Sequence, residues 1–249
     1  MLGVKDSTAT AAIYTELGRF PLHIRSKVRI IKYWIRLSKC QSNFVLSKCF
    51  NMSKKLDDLG YKSWFSNVRK ILIECDLLFY LDEGVDTTNC IKDVKLFLYT
   101  DFINTCMQSL NSFPILRSYV KFKFDFRLES YLLTLIDSKL RKVISKFRLS
   151  SHNLNIEAGR HTKPKTPLEL RLCTKCTSGV VETELHFLLE CDNYNHLRGD
   201  FFKVIKHIDP SILQGNNDEV FIKILSSKEE QVIFSLAKYL SKSFKTRKD

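Results

Sequence analysis

The sequence predicts a mainly α protein, with a bundle-like helical N-terminal part, a small zinc module and C-terminal helices. Three observations predict it. Glycine and proline number only 8 and 5 in 249 residues, too few for a turn-rich β architecture. Apolar residues recur at three- and four-residue steps along much of the chain, the period of a helix with one buried face. Three cysteines and a histidine fall within one short stretch, a density suited to a structural metal knuckle.

Taken in order, Ser7 or Thr8 is placed to cap a helix through Ala9–Leu17, which Gly18 ends. Pro21 then opens Leu22–Lys39, where Ile24, Val28, Ile31 and Ile35 share a face. Asp57-Asp58 is a paired carboxylate of the kind two-metal sites use. No apolar strand follows it, so it reads as a helix-end or turn pair. Lys62–Leu81 and Lys92–Asn111 read as helices joined by an acidic loop around Asp82–Asn89. Trp64, Phe65, Phe79 and Tyr80 follow the apolar face and read as packing residues.

Asn111-Ser112-Phe113-Pro114 marks a break. Ser118–Phe126 alternates enough to allow an extended piece, and a helix fits nearly as well. Leu128–Ile136 is helical by its leucine spacing, and Asp137 caps a further helix, Leu140–Phe147. Arg148–Arg171 is a polar, basic connector in which Pro164 and Pro167 prevent regular structure. Leu197–Ile208 reads as a helix stopped by Asp209-Pro210, and Gln214–Asn217 as a loop. Ser227-x-x-Glu230 has the form of a capping box ahead of Ile233, Leu236, Leu240 and Phe244. The basic end, Lys238–Lys248, is expected to fray. The division expected is a helical basic region (1–113), helices plus basic connector (114–165), a zinc module (166–200) and C-terminal helices (201–249).

The zinc module reads Cys173-x2-Cys176-x9-His186-x4-Cys191. A CxxC turn delivers two thiolates from one corner, and a structural zinc ion takes four tetrahedral nitrogen and sulfur ligands. Ser178-Gly179 supplies residues that tolerate the tight, left-handed backbone of such a turn. A short helical segment, Glu182–Glu190, carries His186. Cys191 lies five positions on, too far round an ideal helix to share its face, and is expected at or past the helix end. His196 stands five residues beyond Cys191 and could replace His186 as the nitrogen ligand. A catalytic zinc needs an open coordination position, which four protein ligands do not leave. Glu182, Glu184 and Glu190 read more simply as helix-surface residues.

Formal net charge is +13, which points to a polyanionic partner, nucleic acid before membrane surface. Between Glu16 and Asp57 stand ten Lys/Arg and no acid, whereas solvated faces normally interleave signs. Arg25, Arg29, Lys32 and Arg36 on the second helix are therefore candidate phosphate contacts. Arg148, His152, Arg160, Lys163, Lys165 and Arg171 of the connector are candidates too, and a solvated connector is an equal reading. Cys40, Cys49, Cys75, Cys90 and Cys106 are scattered with no paired framework, which suits a reducing compartment. The start lacks a basic region followed by an apolar core, and the most apolar run, Ile71–Leu81, carries Glu74 and Asp76. An intracellular, soluble protein of cytoplasm or nucleus is expected, with no membrane or small-molecule partner.

One longer segment supports a resemblance. Phe147, Arg148, His152, Leu154, Ile156, Glu157, Gly159 and Arg160, then the four candidate ligands, then Tyr194 and Arg198, follow one order. That order is similar to the region after the polymerase core of non-LTR, jockey-like retrotransposon reverse transcriptases. There a Phe-Arg…His-x-Leu-x-Ile-Glu-x-Gly-Arg signature precedes a CCHC zinc-binding module. Glu16–Leu22 also resembles a Glu-Leu-Gly-Arg-x-Pro-Leu stretch of that family. The family's catalytic carboxylates belong to an upstream palm domain. The resemblance therefore implies a post-polymerase tail that engages template RNA or target DNA without catalysis of its own. The remaining alternative is a helical protein-interaction or scaffold module whose zinc is purely structural.

Overall fold

Helices carry the fold in the computed structural model, which describes residues 2–40 and 43–248, and no strand is present among them. The chain divides into two units, Arg19–Thr105 and Met1–Gly18 with Cys106–Asp249. This differs from the division drawn from the sequence, because the first helix belongs with the later residues rather than with the basic helices that follow it.

That helix, α1 (Thr10–Leu17), starts after Ala9 with no side-chain cap, so neither Ser7 nor Thr8 serves as its N-cap. Gly18 ends it in the left-handed region at φ 54°, and its N–H returns to the carbonyls of Tyr14 and Thr15. α1 brings Ala12 and Glu16 into a core that also holds Leu116, Phe147 and Leu236.

The unit Arg19–Thr105 is built on α2 (Leu22–Ser38), where Pro21 is the N-cap. Its inward stripe, Ile24, Val28, Ile31, Trp34 and Ile35, meets Phe65, Val68 and Leu72 of α4 (Trp64–Glu74) and Val94 and Leu98 of α5 (Cys90–Leu110). Between α2 and α4 lies α3 (Phe44–Asp58), which Asn43 caps by accepting from the Leu46 N–H. No residue of α3 is buried. Asp57 and Asp58 at its end both pair with Arg69, at 2.6 and 3.0 Å, so the paired carboxylates are a structural clasp. The helix expected through Leu81 stops at Glu74 instead. Asp76 turns left-handed at φ 56°, and a single 3-10 turn covers Leu78–Leu81. Phe79 departs from the packing reading, being half exposed and stacked on Tyr80.

In the other unit Ser118–Phe126 is neither strand nor helix. A 3-10 turn at Tyr119–Lys121 sends both Tyr119 and Phe122 into the core, three positions apart, which an alternating strand would not do. α6 (Tyr131–Thr134) is one turn, shorter than expected. Asp137 caps α7 (Ser138–Arg148) by accepting from the Lys139 N–H at 2.7 Å. One turn, α8 (Asn155–Ala158), interrupts the connector. α9 (Asn195–Ile208) ends before Asp209-Pro210. α10 (Asn217–Ser226), which the sequence reading did not single out, is capped by Asn216. α11 (Glu230–Lys248) packs on α7 and α9. Ser227 accepts from the Glu229 N–H at 3.3 Å, forming a turn ahead of α11 rather than a capping box. The basic end is helical through Lys248, and Arg247 is tied to Glu182 through two hydrogen bonds at 2.7 and 2.8 Å.

Charge is buried at the heart of this unit. Arg148, 3% exposed, donates from Nε to Glu16 at 2.6 Å and lies 2.7 Å from Glu129. Its Nη1 donates to the Leu225 carbonyl. Tyr119 Oη also donates to Glu16, at 2.9 Å, and buried Lys123 pairs with Glu129. Three other segments are thus tied to α7 by one guanidinium. Such a network stabilises only when every member is satisfied.

Candidate metal centre

The knuckle is set by a small antiparallel bridge between Leu172 and Val181. The Cys173 N–H donates to the Val180 carbonyl at 2.8 Å and the Glu182 N–H to the Arg171 carbonyl at 2.9 Å. Gly179 closes the turn at φ 65°, the left-handed backbone that its lack of a Cβ permits. The opposite pair of ligands comes from one wide π turn, His186–Glu190. The Cys191 N–H donates to the His186 carbonyl at 2.8 Å, five residues back, and Cys191 itself is extended. The wider turn resolves the five-residue spacing: it carries position 191 round until it stands over position 186.

Ligand atoms of Cys173, Cys176, His186 and Cys191 all lie within 4.8 Å of one another, a group that could hold a metal ion. Cys173 Sγ and Cys191 Sγ are 3.8 Å apart, and Cys176 Sγ and His186 Nε2 are 3.4 Å apart. Cys173, His186 and Cys191 are buried and Cys176 is half-buried. His196 is exposed on α9 and outside the group, so His186 is the nitrogen that completes it. Its Nδ1 is buried and lies 3.4 Å from Glu190 Oε2 without a hydrogen bond to it. Burial pushes the Cys191 thiol up to about 12 and raises Cys173 as well. Burial also acts to raise Cys176, but hydrogen bonds from Ser178, Cys173 and His186 together hold it at about 6. Three crowded sulfurs of this kind are thiolates together only around a cation.

Buried ion pairs tie the module to its surroundings. Glu184, 1% exposed, accepts two hydrogen bonds from Arg117 at 3.0 Å, one from Ser118 at 2.9 Å and one from Ser150 at 3.0 Å. His152 Nε2 lies 3.0 Å from the same carboxylate. Burial alone would raise this group, but the bond and charge of His152, with Arg117, hold it at about 2. Arg198 donates to the carbonyls of Leu188 and Cys191 at 3.0 and 2.8 Å, fixing the ligand-bearing turn from behind. Glu182 and Glu184 are therefore interior groups and not helix-surface residues; Glu190 is exposed as expected.

Three of the candidate phosphate contacts are corrected by the same geometry. Arg148 is enclosed by Glu16 and Glu129. His152, 5% exposed, is spent on Glu184. Arg171, 9% exposed, donates to the carbonyls of Ile156 and Thr166 at 2.7 and 2.9 Å. Gly159 lies where a Cβ would stand 2.7 Å from the Arg171 side chain, so glycine is required for that side chain to pass. Arg160 is half-buried, 3.0 Å from Glu157 and bonded to the Pro114 carbonyl. Lys163 and Lys165 are exposed, as are Arg25, Arg29, Lys32 and Arg36. Arg117, Glu184, Arg198 and Arg247 were missed as site-forming residues. Two carboxylates, Glu182 and Glu184, sitting among apolar neighbours were the available signal. Compared with family models, curated proteins and solved structures, the chain has no match.

Proposed function

We propose that this chain is a zinc-stabilised nucleic-acid-binding tail of a retroelement reverse transcriptase, acting by binding and not by catalysis. Its partner would be element RNA or target DNA. Zinc is supported by the donor set and by its edges. A tetrahedral zinc with Zn–S about 2.3 Å and Zn–N about 2.0 Å has S···S and S···N edges of roughly 3.8 and 3.5 Å. Two of the six pairs are 3.8 and 3.4 Å apart, and all six lie within 4.8 Å. Four protein ligands fill the shell, so the ion would supply folding energy and orientation.

The observation that carries nucleic-acid binding is the outer stripe of α2. Arg25, Arg29, Lys32 and Arg36 step by four, three and four residues, which aligns them on one exposed helix face. None forms an ion pair among the described residues, while Lys27 of the same helix pairs with Glu74. At 1.5 Å per residue the stripe runs about 16 Å. That is roughly the rise of five nucleotides along a strand. Unneutralised charge in a row is costly to the fold and useful to a polyanion.

Anisotropy titrations of a single-stranded oligonucleotide over a salt series test the reading. Changing all four residues to Gln should lower the slope of log K against log salt by roughly 3, at about 0.7 per phosphate contact. Lys163→Gln with Lys165→Gln should lower it by roughly half as much. An unchanged slope in the four-residue variant would sink the proposal. The scaffold-module reading has one observation in its favour: Phe44, Val45, Met52 and Leu59 on and beside α3 are 61–73% exposed. Its signature would be salt-independent behaviour in the same titration, with self-association or partner capture that Met52→Asp abolishes.

A further inference from the structure

A cavity of about 360 Å³ lies between the N-terminal residues 3–5, α7, the 151–153 loop and α11. Neither the metal cluster nor the α2 stripe uses it. Three of its lining residues are apolar: Val4, Val143 and Phe244. Phe244 stacks on Phe187 at 4.7 Å and lies nearly parallel to the His152 ring at 6.3 Å, so an aromatic wall is held rigidly against the core. Three more are cations: Lys5, Lys146 and Arg247. No carboxylate is among the lining residues, although Asp6 is next in sequence to Lys5.

The cations are positioned, not merely nearby. Lys5 is drawn across by hydrogen bonds from its Nζ to the His152 carbonyl at 3.2 Å and Asn153 Oδ1 at 3.0 Å. Its backbone N–H donates to Ser151 Oγ at 2.8 Å. Arg247 is fixed by Glu182, which occupies Nε and Nη2 and leaves Nη1 outside the pair. Lys146 is exposed, without an ion pair, and ends a row on α7 with Lys139 and Lys142 at steps of three and four residues. A row of unpaired ammonium groups thus leads to a pocket with a flat apolar wall and anchored donors at its rim.

We infer that this cavity takes one unpaired nucleotide, its base against Val143 and Phe244 and its phosphate on Lys146, Lys5 and Arg247. The volume falls within the range of about 300–1,000 Å³ that small-molecule sites occupy. Aromatic and apolar walls accept any base face, and ammonium with guanidinium donors select phosphate oxygens. Inorganic phosphate alone would leave the apolar wall unused, and an uncharged nucleoside would leave the cations unused. That the nucleotide belongs to a bound strand rests on the function proposed above; that the cavity binds a nucleotide does not.

Calorimetry of the full chain with 5′-AMP, adenosine and inorganic phosphate tests the inference, with photocrosslinking by 8-azido-AMP to locate the site. AMP should bind, with adenosine and phosphate each weaker by about tenfold or more, since each lacks half the contacts. Lys146→Glu changes an exposed side chain and should weaken AMP by roughly tenfold or more while melting stays unchanged. Val143→Trp should fill the cavity and abolish binding. Crosslinks should map to peptides of α7 and α11. Oligonucleotides carrying the photoreactive base should crosslink at the same peptides if the nucleotide comes from a strand. Absence of AMP binding at millimolar concentration, crosslinks elsewhere, or indifference to Lys146→Glu would overturn the inference. The four-residue α2 variant separates the two claims. AMP binding without any salt-dependent oligonucleotide binding upholds the cavity and removes the tail function, whereas the reverse removes the cavity alone.

Discussion

Replacing Arg148 by Met separates a structural cation from a phosphate contact. The guanidinium is 3% exposed and its principal partner, Glu16, is 0% exposed. Methionine fills much of the same volume but leaves Glu16 with neutral tyrosine hydroxyls in place of the guanidinium and the Leu225 carbonyl with no donor from this side chain. Glu129 keeps Lys123 and contributes less to the loss. Breaking one partner of a buried pair costs about 3–5 kcal/mol, because an uncompensated charge stays inside. At roughly 2–4 °C per kcal/mol for a unit of this size, melting should fall by about 6–20 °C, read by circular dichroism. Adding Glu16→Gln should recover part of that loss, since the orphaned charge disappears with it. Below the lowered melting point the salt slope of oligonucleotide binding should equal that of the parent. A variant that melts within about 2 °C of the parent, or that loses slope without losing stability, would refute the buried-pair account.

Other consequences can be checked separately. Native mass spectrometry should find one divalent ion per chain, and a strong chelator should lower the melting temperature, with Cys191→Ala more damaging than Cys176→Ser because Cys191 is fully buried. Gly159→Ala should cost about 1–3 kcal/mol in chemical denaturation, as the new Cβ would meet the Arg171 side chain at 2.7 Å. Burial, with Glu74 and Asp93 as neighbours, pushes Cys75 to about 11 and Cys90 to about 12. Both thiols are thus neutral until the pH approaches those values, and alkylation at pH 8.5 should reach exposed Cys49 first and these two only on unfolding, as mapped by peptide mass spectrometry.

Periodicity was enough to find α2, α7 and α11, because each has a single buried face whose residues follow the helical step. The four ligands were readable for a different reason: their chemistry demands soft donors at short spacing, and that constraint is written locally. Even the displaced position of Cys191 follows from helix geometry, although the π turn that solves it does not. What spacing hid was pairing over long distance. Arg148 looks like any basic residue until Glu16, 132 positions earlier, is placed beside it. His152 and Glu184 likewise declare their charges in sequence and their burial only in three dimensions. Two of the resemblance-bearing residues, Arg148 and Gly159, thus have packing roles. Glu157, also in that motif, is clasped by Arg117 at 2.6 Å. α3, which the sequence did not single out, has no buried residue.

The division of the chain has a consequence for biosynthesis. Residues 19–105 find their partners within a continuous stretch, so that unit can close while the ribosome is still working. The segment ahead of it cannot. Glu16 must wait for Arg148, and Arg148 for the carbonyl of Leu225, so α1 stays unmated until the chain has been made through Leu225. For that interval a nascent carboxylate and an apolar helix are held open on the growing chain, where a chaperone would find them.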